Sequence, residues 1–157
     1  YKRQERIQTT MPDVADRVLM LPTVGRSYNL NRDFSILLSL ASVVLDPFPY
    51  SGGVTTLEAL ALGRPVVTLE AAPALAGRLT LALHRKAGLS ALVAESIDSY
   101  VSKVLSISKM GQRQHAELCA NITRASAVLF SEDHSRDAIG AWENWLVAAA
   151  HQSLRKK

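Results

Sequence analysis

Two short apolar runs, with one short helical pattern between them, constrain this chain more than anything else in it. "SVVLDP" (Ser42 to Pro47) and "PVVTL" (Pro65 to Leu69) are too short for helices, rich in β-branched residues and bounded by proline. Between them "VTTLEALAL" has helical apolar spacing and stops at Gly63, with Pro65 just beyond. Strands joined through a helix lie parallel, because a parallel pair needs a long crossover while an antiparallel pair needs only a tight turn. Strands this uniformly apolar are buried on both faces, so helices must cover the sheet on each side. The expected fold class is therefore α/β, a Rossmann-like parallel sheet with helices on both faces.

The remaining pattern extends this reading. Tyr1 to Thr10 is polar and predicted as the tail of a helix. "RVLMLP" (Arg17 to Pro22) is predicted as a buried strand, "TVGRSYNLNRD" as a polar loop, and "DFSILLSLA" as a short helix capped by Asp33. Downstream, "ALAGRLTLALHRKAG" is predicted as a helix closed by Gly88, and "SIDSYVSKVLSIS" as one capped by Ser96 or Asp98. "QRQHAELCANITRAS" and "SRDAIGAWENWLVAAAHQSL" complete a helical second half in which no further strand is expected. The last helix gathers Ile139, Trp142, Trp145, Leu146 and Ala149 on one face, which places both tryptophans in a core or in packing between domains.

Composition narrows the class of function. A length of 157 residues suits one domain, 1–157, with 1–16 and 150–157 peripheral. Hydrophobic residues at 48% against 20% charged exclude a disordered chain, and no apolar run approaches the ~18 residues of a membrane span. The chain starts at Tyr1 and "YKRQERIQTT" has no apolar leader core, so a piece of a longer chain is expected. The single cysteine, Cys119, cannot form an internal disulfide; a cytoplasmic, reducing compartment and a buried structural thiol are expected. The net charge of +4 gathers at both ends, with no aromatic residues interleaved in a basic stripe, which argues against a nucleic-acid partner. The four histidines lie far apart without metal-ligand spacing, and no metal site is expected.

One stretch departs from ordinary core. "DPFPYSGGVTTLEALALGRPVV" packs Gly52, Gly53, Thr55 and Thr56 into the loop and first turn after a strand. In an open parallel sheet, ligands bind outside the carboxyl ends of the strands. The glycines permit positive φ and close approach of a ligand to the backbone. The first N–H groups of the following helix are unpaired and sit at its positive end. A diphosphate there would accept from the N–H groups of Val54, Thr55 and Thr56 and from the threonine hydroxyls. Glu58, one turn in, could accept from two neighbouring ribose hydroxyls. The alternative for the same residues is a capping box, with Glu58 reaching back to a backbone N–H at Thr55, and glycines that serve only a turn.

The string "LDPFPYSGGVTTLEALALGRPVVTL" resembles the nucleotide-sugar-binding segment of the O-GlcNAc transferase and SPINDLY-like family, some bacterial members of which are fused to tetratricopeptide repeats. The resemblance continues through "AGRLTLALHRKAGLSALVAESIDSYV" and "ITRASAVLFSEDH", covering about Arg17 to Leu146. It implies the C-terminal, donor-binding half of a GT-B glycosyltransferase. Gly52, Gly53, Val54, Thr55 and Thr56 then stand where the donor diphosphate binds, and Glu58 where an acid holds the ribose. Phe34 stands where a ring stacks on the base, with Tyr28 as the alternative and a core phenylalanine as the plainer role. Arg78 matches a recurring family arginine. Val54 departs from the pattern, taking the place of a polar residue.

The resemblance further implies transfer of a sugar, N-acetylglucosamine from its uridine diphosphate donor by default, to protein Ser or Thr hydroxyls. It implies an acceptor protein, an N-terminal GT-B half and helical repeats as partners, with no nucleic acid and no membrane. No cofactor or metal is expected, and no catalytic residue is assigned within these residues. A GT-B sugar-nucleotide epimerase and a non-catalytic scaffold are the alternatives. A dinucleotide oxidoreductase is disfavoured, because no G-x-G-x-x-G follows a strand.

Overall fold

A computed structural model describes residues 2–21, 30–70 and 75–154. It divides into two compact units, Tyr1–Ile36 and Leu37–Lys157. In the first, α1 (Lys2–Thr10) leads into a 3-10 turn (Pro12–Arg17) and then a coil. The helix α2 (Leu30–Leu40) follows and runs into the second unit.

The second unit is built on three parallel strands in the order β1 (Val44–Leu45), β2 (Val66–Leu69), β3 (Val93–Ala94). Val44 and Leu45 pair with Val66 and Val67, while Thr68 and Leu69 pair with Val93 and Ala94. The central strand β2 is therefore split between two neighbours, and all four of its residues are buried. The helix α3 (Val54–Ala61) connects β1 to β2. A 3-10 turn (Leu75–Arg78) and α4 (Leu79–Lys86) connect β2 to β3. The remaining helices are α5 (Ile97–Ser108), α6 (Gln112–Ser126) and α7 (Glu132–Leu154).

The core follows from these connections. Ala59 and Leu60 of α3, Leu81 of α4, Tyr100 and Ile107 of α5, and Ile122 of α6 are buried with β2. Ser126 Oγ donates to the Leu60 carbonyl at 3.2 Å and fixes α6 against α3. Both α3 and α4 end in the same way. Gly63 has φ +66° and Gly88 φ +69°, the left-handed conformation that only glycine adopts without cost. Arg64 N–H donates to the Ala59 carbonyl at 2.8 Å and Leu89 N–H to the His84 carbonyl at 2.8 Å, closing a Schellman motif at each end.

Several expectations change. The run Val18–Leu21 is not a strand: it pairs with no strand among the described residues, and Leu19 is 82% exposed. A short apolar run forms a strand only where a ladder partner exists. The third strand is β3, in the "LVA" of the half expected to be helical; with Glu95 and Ser96 following, it is too short to display a period. Asp33 is not the cap of α2 but lies within its first turn, where its charge still complements the positive helix end. Within the helix predicted over 74–88, Leu75–Arg78 form a 3-10 turn and the α-helix starts at Leu79. The proposed cap Ser96 is present, its Oγ accepting from the Ser99 N–H at 3.1 Å. Of the predicted loop from Thr23 to Asp33, residues 23–29, with Tyr28, lie outside the described residues, while Leu30 to Asp33 form the first turn of α2; Ala74 and the basic end after Leu154 also lie outside the described residues.

Candidate diphosphate-binding site

The site is assembled where β1 ends. Asp46 follows β1 directly and is buried, at 4% exposure. A buried carboxylate needs partners, and four donors converge on this one. Gly52 N–H (2.7 Å) and Thr80 Oγ1 (2.9 Å) donate to Oδ1. Thr68 Oγ1 (2.7 Å) and Ser51 Oγ (2.9 Å) donate to Oδ2. One carboxylate thus ties together the loop after β1, the middle of β2 and the first turn of α4. Ser51 Oγ in turn accepts from the Thr80 N–H at 3.0 Å, and the Thr56 and Thr80 hydroxyls lie 2.9 Å apart. Tyr100 donates its hydroxyl to the Asp46 carbonyl at 3.1 Å. Burial first, and the Asp46 charge second, push the Tyr100 phenol up to about 12.

This hub fixes how the chain enters α3. The Asp46 carboxylate takes the Gly52 N–H for itself. The Gly53 carbonyl accepts from the Thr56 and Leu57 N–H groups at 3.1 and 3.2 Å, which makes Gly53 the N-cap. The N–H groups of Gly53, Val54 and Thr55 are left without an acceptor among the described residues. Val54 is 70% exposed and Thr55 is exposed, so this end of the helix opens to the surface. Three free donors at the positive end of a helix form an anion cradle.

The structure separates the candidate residues more finely than the pattern did. Thr56 is buried, its hydroxyl within reach of the Gly52 carbonyl (3.2 Å) and Thr80, and its N–H is bound to Gly53. It supports the cradle from beneath, and the expectation that it offers donors to a phosphate gives way. Gly52 and Gly53 do not adopt positive φ. Gly52 is required instead by crowding: a Cβ there would lie 2.8 Å from Thr56 Oγ1, 3.0 Å from Thr55 Oγ1 and 3.3 Å from Asp46 Oδ1. The capping box is absent, since α3 begins at Val54 and its N-cap Gly53 makes no side-chain bond. Thr55 lies inside the helix. Glu58 is half-buried one turn in, and its carboxylate has no hydrogen-bond or ion-pair partner among the described residues. Helical spacing puts Glu58 on the same side of α3 as exposed Val54 and Thr55, opposite buried Thr56, Ala59 and Leu60.

Phe34 is half-buried on α2, within the first compact unit, whereas Gly52 to Glu58 belong to the second. Arg78 is exposed at the N-cap of α4. Trp142 and Trp145 pack edge to face, with centroids 5.6 Å apart, on an exposed face of α7, not in a core. Asp46, the organiser of the site, is not among the residues expected from the sequence. Its signal was a carboxylate closing an apolar strand, a position that has to be compensated by nearby donors. Among the described residues no group of three or more His, Cys, Asp or Glu is arranged to hold a metal ion. No described helix is long and apolar enough to cross a membrane.

No protein-family model matches the chain. A barley protein described as a probable UDP-N-acetylglucosamine–peptide N-acetylglucosaminyltransferase SPINDLY is 41% identical over 91 residues, which is 58% of this chain and 9% of that protein. Its Arabidopsis thaliana counterpart is 37% identical over 101 residues, 62% of this chain and 10% of that protein. A solved structure of an O-GlcNAc transferase mutant from Thermobaculum terrenum superposes with a TM-score of 0.74 at 30% identity, over 90% of this chain and 27% of that one. The resemblance to O-GlcNAc transferases and SPINDLY proteins is borne out, as is the Rossmann-like α/β fold of a GT-B glycosyltransferase. The chain spans about a tenth of the length of these plant relatives.

Proposed function

We propose that this chain is the donor-binding part of a glycosyltransferase that takes a nucleoside-diphosphate sugar. The observation that carries this reading is the cradle at α3: free N–H groups on Gly53, Val54 and Thr55, at the carboxyl edge of a parallel sheet and braced by Asp46. Glu58 stands one turn beyond with its carboxylate free to accept from a ribose. Phosphate at the helix tip and sugar along its side match the two ends of a nucleotide. The relatives' descriptions favour N-acetylglucosamine on uridine diphosphate as the donor and a protein hydroxyl as the acceptor.

In transfer, the bond between the sugar and the β-phosphate breaks, and the diphosphate leaves with an additional negative charge. N–H donors already aimed at that position stabilise the departing charge more than the bound donor. They need not reorganise, because Asp46 and the Gly53 carbonyl hold the turn. No metal is required in this scheme. The groups that activate the acceptor, a stacking role for Phe34, and any helical repeats belong to the same proposal and lie beyond the residues of the cradle.

The test is titration of the isotope-labelled chain with uridine diphosphate, followed by amide chemical shifts. The largest shifts are expected at Gly53, Val54 and Thr55, with smaller ones near Glu58. Glu58→Ala should weaken binding of uridine diphosphate while leaving inorganic pyrophosphate unchanged. Shifts confined to α5, α6 and α7 at saturation would refute the assignment of the site.

A further inference from the structure

At the opposite edge of the sheet, where the strands begin, lies a cavity of about 570 Å³. Ser42, before β1, and Arg64, before β2, line it together with His115 and Cys119 of α6. His115 and Cys119 are spaced i, i+4 and so are neighbours on one helix face. Cys119 Sγ lies 3.6 Å from His115 Nδ1, and His115 Nε2 lies 2.7 Å from the Ser42 carbonyl oxygen. A carbonyl can only accept, so in the neutral ring Nε2 holds the proton and Nδ1 presents its lone pair to the thiol. Nucleophile, base and a group orienting the base are thus in register.

A separate feature of this cavity points to a ligand. Arg64 Nε is fully buried and has no hydrogen-bond partner among the described residues. An orphaned buried donor is costly, and the same guanidinium lines the cavity, where it can pair with an anionic group. Cys119 is only half-buried, against the expectation of a sealed structural thiol. The charged or titratable side chains lining the cavity are Arg64, His115 and Cys119.

We propose that Cys119 is a covalent modification site, a thiol served by His115 and selective for small soft electrophiles that carry an anionic group for Arg64. The thiol proton passes to His115 Nδ1. The sulfur lone pair forms a bond to the electrophilic carbon, and the leaving group departs with the electron pair of the bond that breaks. The imidazolium then returns its proton to solvent.

The probes are iodoacetate and iodoacetamide, each read by intact mass at neutral pH; the single cysteine limits the product to one adduct. Both reagents should react roughly tenfold faster than with glutathione. The ratio of the iodoacetate to the iodoacetamide rate should exceed that for glutathione, and both advantages should vanish in urea. His115→Gln should slow both reagents about tenfold, whereas Arg64→Gln should slow iodoacetate and leave iodoacetamide within about twofold. A wild-type chain that reacts no faster than glutathione, with the same reagent ratio, overturns the proposal without any variant being made. Variants that fold but leave both rates unchanged overturn it equally.

Discussion

Replacing Asp46 by alanine tests whether one carboxylate holds the candidate site together. Its four donors differ in what they could do next. The Ser51 and Thr80 hydroxyls lie 2.8 Å apart, and Thr80 Oγ1 is also 3.0 Å from the Gly52 carbonyl, so both can be re-paired. The Gly52 N–H and the Thr68 hydroxyl have no second acceptor of this kind. Each stranded donor costs about 1–3 kcal/mol, and water entering the space left behind lowers the sum, so a loss of ~3 kcal/mol is expected. That is a large part of the ~5–15 kcal/mol of a typical domain, and corresponds to roughly 6–12 °C in melting temperature for a chain of this size.

Asp46→Asn is the control that separates geometry from charge. An amide oxygen at the Oδ1 position still accepts from Gly52 and Thr80. Its NH₂ can donate to Ser51 and Thr68, whose hydroxyls also accept. Asparagine should therefore cost only about 1 kcal/mol. Urea unfolding followed by far-ultraviolet circular dichroism reads both variants. Equal losses for alanine and asparagine would mean that charge, not the hydrogen-bonded turn, is what matters. A stable alanine variant would refute the hub altogether.

Further outcomes follow from individual residues. Gly63→Ala should cost about 2–4 kcal/mol by the same unfolding assay, because its φ is +66° and a Cβ would lie 2.8 Å from the Cys119 carbonyl of α6. Tyr100→Phe should lose about 1 kcal/mol with the bond to the Asp46 carbonyl. Its difference absorbance against the parent should stay flat below about pH 11, since the Tyr100 phenol is raised to about 12. His84 is buried with Nε2 on the Val66 carbonyl, and burial lowers its pKa below 6.5. The unfolded chain then takes up the proton first, so the stability that His84 contributes is full above 6.5 and is lost as pH falls below it. Unfolding free energies at about pH 7.5 and 5.5 should differ less in His84→Gln than in the parent.

The sequence showed α3, β2 and the left-handed stop at Gly63 because each has a local cause. Proline, glycine and helical period act within a few residues, and "VTTLEALALGRPVVTL" contains all of them. The exchange of "RVLMLP" for "LVA" as the third strand has a non-local cause. A strand exists only when a neighbour offers a ladder, and no local pattern says that Thr68 and Leu69 will receive Val93 and Ala94 rather than Val18 and Leu19.

The site divides along the same line. A glycine pair before a helix announces free N–H groups from the chain alone. It does not disclose that Thr56 turns inward, because that depends on Thr80, 24 residues away, and on Asp46 on the other side of the turn. Buried polar residues are satisfied by whatever the fold brings near, so their partners are legible only in three dimensions. A carboxylate closing an apolar strand must nevertheless be compensated, and the scattered Ser51, Thr68 and Thr80 are small hydroxyls in otherwise apolar stretches. Their positions on the loop after β1, on β2 and at the start of α4 are where such compensation can converge. An acid at the carboxyl end of a buried strand is thus a reason to look for hydroxyls on neighbouring elements before assigning them to a ligand.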